Sequence, residues 1–266
     1  MSRAAVAEAR ERFEAVAVTA DLSVLAEDLK AVLHLLDREH GLRRAVTDPA
    51  RDADSKAGLV RTLLDGKVSE AAVRLLAEVV GLRWSRPSEL LDTIEKLAVN
   101  AEAAQAEAAG QLDELEDELF RFSRIIEAEP QLRAALASRR LPRQRKTELV
   151  GALLENKVTP SALRLITEVV TDPRGRSLER GLAEYDRLVA ERRSRFIALV
   201  RTAVALSEEQ RTRLASALSA AYGHDVHLNI ELDPSVVGGL SIQLGDEIID
   251  GTIAGRLDDV RRRLAS

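Results

Sequence analysis

Val226–Leu264, VHLNIELDPSVVGGLSIQLGDEIIDGTIAGRLDDVRRRL, is the stretch of this chain that does not read as helix. Apolar residues alternate at Val226, Leu228, Ile230 and Leu232, the period-two mark of a half-buried strand. Asp233-Pro234 breaks that run. Gly238-Gly239 then sets a bend before a second run, Leu240, Ile242 and Leu244. Gly245-Asp246 is a tight-turn pair, so Glu247–Ile249 folds back as a hairpin partner. Asp250-Gly251-Thr252 supplies capping oxygens for a closing helix with Ile253, Leu257, Val260 and Leu264 on one face. Just upstream, FIALVRTAV (Phe196–Val204) favours a strand. Ser207-Glu208-Glu209-Gln210 is a capping box, and its helix carries Leu214 and Leu218 before Gly223. The expected order is strand, helix, strand, hairpin, helix, a small α+β module over residues 196–266.

Everything before that module is helical in pattern. Leu25, Leu29, Val32 and Leu36 form one stripe, ended by Gly41. After a polar loop come a helix with Leu59, Val60, Leu63 and Leu64 and another, capped by Ser69, with Val73, Leu76 and Val80. From Ser88 a helix of about forty residues is expected, bent near Gly110, where glycine costs about 1 kcal/mol relative to alanine. It passes through the alanine-rich AEAAQAEAAG, and Pro130 closes it. KAGLVRTLLDGKVSEAAVRLLAEVV, from Lys56, then aligns without a gap on KTELVGALLENKVTPSALRLITEVV, from Lys146. Shared helical period would align the leucines. It would not also align Lys67-Val68 with Lys157-Val158, or Arg74 and Glu78 with Arg164 and Glu168. The chain therefore contains an internal duplication. The fold class is mainly α: two helical-bundle units, 1–105 and 106–195, linked by a long helix and followed by the α+β module.

Composition narrows what such a chain can do. Hydrophobic residues make up 45% and aromatic ones only 3%, so the cores must be built from leucine, valine, isoleucine and alanine. The net charge of −5 argues against a general nucleic-acid footprint, which needs a basic face. With no cysteine there is no disulfide and no thiolate chemistry. No apolar run approaches a membrane span, and the amino terminus contains acidic residues and no h-region, so neither a direct span nor a signal peptide is expected.

No residue set reads as catalytic or cofactor-binding. His224 and His227 lie three apart on a strand and face opposite ways, which disfavours a shared metal. His34 and His40 are expected on one helix without partners. Gly238-Gly239 matches no phosphate-loop spacing. Asp246 and Asp250 are explained by turns and caps, Arg261-Arg262-Arg263 by a helix carboxyl end, and Trp84 by a bundle cap. The residues describe a binder.

The carboxyl end resembles one family closely. Asp233 through Gly239, Gly245-Asp246-Glu247-Ile248-Ile249-Asp250-Gly251-Thr252-Ile253, and Gly255-Arg256-Leu257 are similar to the terminal signature of the F-type ATP synthase delta subunit. Its mitochondrial counterpart is the oligomycin-sensitivity-conferring protein. Thr252 stands where serine is usual. Gly238, Gly239, Gly245, Asp246, Asp250, Gly251, Thr252, Arg256 and Leu257 carry the resemblance as structural residues. The duplicated bundle departs from the usual single one and resembles the enlarged actinobacterial form. The resemblance implies a non-catalytic peripheral-stalk subunit without a cofactor, at the cytoplasmic face of the cell membrane. It would join the catalytic head to the b subunits, so that proton flow drives ATP synthesis. It also implies a helix-in-groove contact with the amino-terminal segment of an alpha subunit, expected at Val6, Phe13, Ala72, Leu75 and Val79, with the terminal module meeting b. The competing reading is a stand-alone helical adaptor with an unrelated partner.

Overall fold

The structure, a computed structural model, describes residues 3–138, 140–194, 197–222, 226–233, 236, 238–244 and 247–250. The chain forms two compact units, Met1–Val189 and Ala190–Ser266.

The first unit opens with α1 (Arg3–Ala17), α2 (Leu22–Arg38), α3 (His40–Thr47), α4 (Ala53–Leu64) and α5 (Glu70–Gly81). It continues through α6 (Pro87–Ala108), α7 (Leu112–Ala128), α8 (Pro130–Ala137), α9 (Arg143–Leu154), α10 (Pro160–Thr171) and α11 (Leu178–Ser194), whose last residues lie past the unit boundary. Side-chain caps begin several of these helices. Asp21 accepts from the Ser23 and Val24 amides, Asp52 from Ser55, Ser69 from Ala72, and Thr159 from Ala162. Pro87, Pro130 and Pro160 occupy first helical positions, where the missing N–H has no partner to lose.

The duplication runs further than the aligned segment. The helices α2, α3, α4 and α5 start and end 90 residues before α7, α8, α9 and α10. Gly66 and Asn156, equivalent turn residues, both take a left-handed backbone, with φ of 66° and 61°. Asp28 accepts the Ser69 amide at 2.8 Å, and its equivalent Glu118 accepts the Thr159 amide at 2.9 Å. Each copy thus ties its first long helix to the cap of its fourth, across the bundle.

The amino-terminal helix is matched as well. Ala9, Phe13 and Val16 of α1 are core residues of the first cluster, and Val99, Ala103 and Ala106, 90 residues on, are the α6 members of the second. One helix therefore closes the first bundle with Leu90, Leu91, Ile94, Leu97, Ala98 and Ala101 and opens the second with its other face. That is the physical reason for its alanines. A helix buried on two sides needs small side chains so that both neighbours can approach.

Two expectations change here. The forty-residue helix is two helices, because Gly110 takes φ 69° and the chain restarts at Leu112. Gly41 and Pro130 do not simply end helices. Each sits in the first turn of a short one, α3 or α8, that eight residues are too few to announce by period. Residue 105 falls within α6, so the two helical portions share a helix.

The second unit holds β1 (Ile197–Thr202), α12 (Glu208–Tyr222), β2 (His227–Leu232), β3 (Leu240–Leu244) and β4 (Glu247–Asp250) in sheet order β2-β1-β3-β4. Strands β1 and β2 are parallel, which requires a crossover, and α12 is that crossover. Its capping box forms: Ser207 N–H donates to Gln210 Oε1 at 2.9 Å, and Gln210 N–H to Ser207 Oγ at 3.3 Å. Ala198, Val200, Ile242, Leu244 and Leu218 form the buried centre, with Leu228 and Ile230 packed against them. Because β3 pairs with β1 and not β2, the chain must cross the sheet end between β2 and β3. Gly238 and Gly239 make that bend at φ 65° and 85°. Strand β4 returns against β3 as the hairpin expected.

Candidate functional site

Two helix pairs occupy equivalent places in the duplicated bundle, and they differ in what covers them. The pair α6 and α10 belongs to the second copy. Helix α2 of the first copy packs along α6. Glu102 of α6 is fully buried, which an unpaired carboxylate could not tolerate. Its charge is met from both sides: Lys30 of α2 donates to Oε1 at 2.8 Å, and the Arg164 guanidinium of α10 grips both oxygens from Nε at 2.9 Å. One turn along, His34 of α2 reaches Glu168 at 2.6 Å and Asp172 at 3.2 Å. The expectation that His34 and His40 share a helix and lack partners is therefore corrected. They lie on α2 and α3, and the His34 partner is 134 residues away, beyond any local pattern.

His34, Glu168 and Asp172 are a trio of metal-ligating types among the described residues whose ligand atoms lie within 4.8 Å of one another. The Arg143 guanidinium stands 3.3 Å from His34 Nε2 and 3.6 Å from Glu168. A cation already balances the carboxylates where a metal would have to sit, so the cluster reads as a charge joint between α2, α9 and α10.

A third joint fixes the loop after α10. Glu95 is buried on α6 and takes Arg174 at 2.5 Å, Arg176, and the Tyr185 hydroxyl at 2.9 Å. Burial alone works against the Arg176 charge, but Glu95, helped by the hydrogen bonds to Glu95 and Glu184, holds its pKa above the usual range. Burial, then the Glu95 charge, pushes the Tyr185 phenol well up, so it stays a donor. Together the three joints cross-tie α2, α6, α9, α10 and α11 through charged and polar side chains.

The equivalent pair in the first copy, α1 and α5, has no such cover within the described residues. Ala4, Ala7 and Glu11 on α1 are exposed, whereas their equivalents Ile94, Leu97 and Ala101 are buried. Arg12 stands where Glu102 stands in α6. It donates to Glu78 O at 3.1 Å and pairs with Glu8. Arg74, the equivalent of Arg164, is exposed. Of the five residues expected to line a groove here, Phe13, Ala72, Leu75 and Val79 are fully buried between α1, α5 and α6, and Val6 is partly buried at the edge. They form the floor of the pair. Apolar patterning finds inward positions first, which is why it picked the floor and passed over the open side. The 90-residue offset, carried onto α1 and α6, would have found the open side.

In the terminal module, Gly238 and Gly239 make the bend described above, and Asp250 ends β4, paired in register with Ser241. Gly245, Asp246, Gly251, Thr252, Arg256 and Leu257 lie outside the described residues, as do His224 and the residues expected to form a closing helix. Leu232, Ile248 and Ile249 are exposed on the outer strands β2 and β4, apolar positions of the kind that protein contacts use.

A duplicated helical unit cross-tied by charged side chains, with the α1–α5 pair open among the described residues, and a small sheet module make this a mainly helical protein with a face free to take a partner. The particular family follows from comparison. Residues 98–264 match the profile of the ATP synthase delta (OSCP) subunit. The chain is 50% identical over 265 residues to ATP synthase subunit delta of Thermobifida fusca, covering 100% of this chain and 98% of that one. It is 49% identical over 267 residues to the same subunit of Streptomyces avermitilis, again covering 100% and 98%. The chain belongs to the ATP synthase delta (OSCP) subunit family. A chain of the Toxoplasma gondii mitochondrial ATP synthase hexamer aligns with 63% of it at 17% identity and a TM-score of 0.35, covering 95% of that chain. The profile match begins inside α6, so it spans the second copy and the module. No helix among the described residues is long and apolar enough to cross a membrane.

Proposed function

We propose that this chain is the non-catalytic delta subunit of a peripheral stalk. It holds the catalytic head of the ATP synthase against the torque of rotation by bridging to the b subunits at the cytoplasmic face of the membrane. Family membership over the whole length carries this reading. The charge joints at Glu102, His34 and Glu95 support it mechanically, because a stator element must not flex between its contacts.

The first copy receives the amino-terminal segment of an alpha subunit on its α1–α5 face, with Val6 at the edge and Phe13, Ala72, Leu75 and Val79 shaping the floor. What favours this copy is the asymmetry of cover: the matching face of the second copy is already filled by α2. The module of residues 196–266 meets the b subunits. Residues 1–105 then act as the head-side part and 106–195 as the bridge that lengthens the stalk.

The test is to purify the affinity-tagged full chain from solubilised membranes. Alpha and b subunits should come with it, and membranes lacking the chain should hydrolyse ATP without coupling hydrolysis to proton movement. Purification with other partners only, or intact coupling without the chain, would overturn the proposal.

A further inference from the structure

The second copy shows, inside the molecule, how a helix sits on this kind of pair. Helix α2 lies along α6 and sends Lys30 to Glu102, while Arg164 holds the same carboxylate from α10. In the first copy the carboxylate position is Arg12, and the arginine equivalent to Arg164 is Arg74. Arg74 has no ion pair among the described residues and lies exposed. Two guanidinium groups thus stand where the second copy has one guanidinium and one carboxylate. Glu8 and Glu78 both pair with Arg12, which leaves Arg74 as a cation of this face without an ion pair among the described residues. The charge that would complete Arg74 is negative, where α2 supplies Lys30 to the second copy, while Glu78 keeps the acidic sign of its equivalent Glu168.

We propose that the occupant of the α1–α5 face is an amphipathic helix lying as α2 lies on α6 and presenting a carboxylate to Arg74, beside Arg12. This rests on the reading that the alpha subunit's amino-terminal segment docks on the first copy, and it specifies that segment's chemistry. The exposed Ala4 and Ala7 suit the pose, because their small side chains let a helix backbone come close where the second copy fills the space with Ile94 and Leu97. An arginine paired with a carboxylate at a partly desolvated contact adds register as well as attraction, since the fork geometry accepts few approaches.

The experiment is calorimetric titration of the full chain with a synthetic peptide of the alpha subunit's amino-terminal segment, at low and high salt. Arg74→Glu is expected to weaken binding at least tenfold at low salt. A peptide whose facing acidic residue is changed to lysine is expected to recover most of that loss on the reversed chain only. Arg51→Glu, an exposed reversal ahead of α4, should leave affinity unchanged. Arg74 has no ion pair to lose, but its reversal sets like charges four residues from Glu70 and Glu78 on α5, so the thermal midpoint should fall slightly while unfolding stays a single cooperative step. Equal affinity of wild type and Arg74→Glu at both salts overturns the carboxylate inference while the docking reading stands. A peptide that does not bind the wild-type chain overturns the docking reading, and the inference falls with it.

Discussion

Lys30 and Arg164, one from each copy of the duplication, meet on a single buried carboxylate, that of Glu102. The contact locks the first bundle to the second through side chains that neither bundle needs for its own core. Removing the carboxylate while keeping its shape, by Glu102→Gln, strands two partly buried cations. Breaking a buried pair in this way costs on the order of 3 kcal/mol. Urea unfolding of the full chain should show that loss. The exposed pair Arg124–Glu127 serves as the control, with Glu127→Gln costing less than about 1 kcal/mol.

Tyr185→Phe removes one donor from Glu95 and leaves its two arginines in place. A hydrogen bond to a charged group contributes about 1.5–3 kcal/mol. The variant should lose roughly 2 kcal/mol in the same unfolding experiment. Because the phenol stays protonated in the fold, the loss should not change between neutral pH and pH 9.

The equivalent turns at Gly66 and Asn156 separate backbone strain from packing, since a Cβ at Gly66 would touch nothing within 4 Å. Gly66→Ala should cost about 1–2 kcal/mol through its left-handed backbone alone. Asn156→Gly should be near neutral, because asparagine already tolerates that region. Thermal midpoints of the two variants, compared with wild type, check both.

Burial, and then the charge of Glu116, holds the Asp186 carboxyl above the usual carboxylate range, and its Oδ1 has no hydrogen-bond partner. A group that binds its proton more tightly in the fold favours the fold at acid pH. That advantage is lost as pH rises through the folded pKa. At neutral pH, well above the unfolded value, this partly buried carboxyl therefore works against the fold. Asp186→Asn should raise the thermal midpoint at pH 7, and the gap should close as pH falls below the folded pKa.

How much of this was legible beforehand differs by element. The duplication was plain at residues 56–80 and 146–170, where both copies face the same surroundings and keep the same residues. It was invisible between α1 and α6, because the role is conserved and the residue is not. Phe13 becomes Ala103 and Arg12 becomes Glu102 once a second bundle presses on the other side. The strand alternation and the Ser207 capping box predicted the module's elements. Nothing local said that β1 would pair with β3, since that choice is made by residues about forty positions apart. The charge joints were unreadable for the same reason, with His34 lying 134 residues from Glu168.

The chain has no cysteine, so one introduced thiol is a unique reporter. Ala7→Cys places it on the exposed side of α1, and Arg51→Cys places another on the exposed loop ahead of α4. The decisive measurement is the rate of maleimide labelling in the free chain and in the assembled ATP synthase. The account predicts that Ala7→Cys reacts quickly in the free chain and is protected at least tenfold on assembly, while Arg51→Cys reacts alike in both. Equal labelling of Ala7→Cys in the free and assembled chain would contradict it.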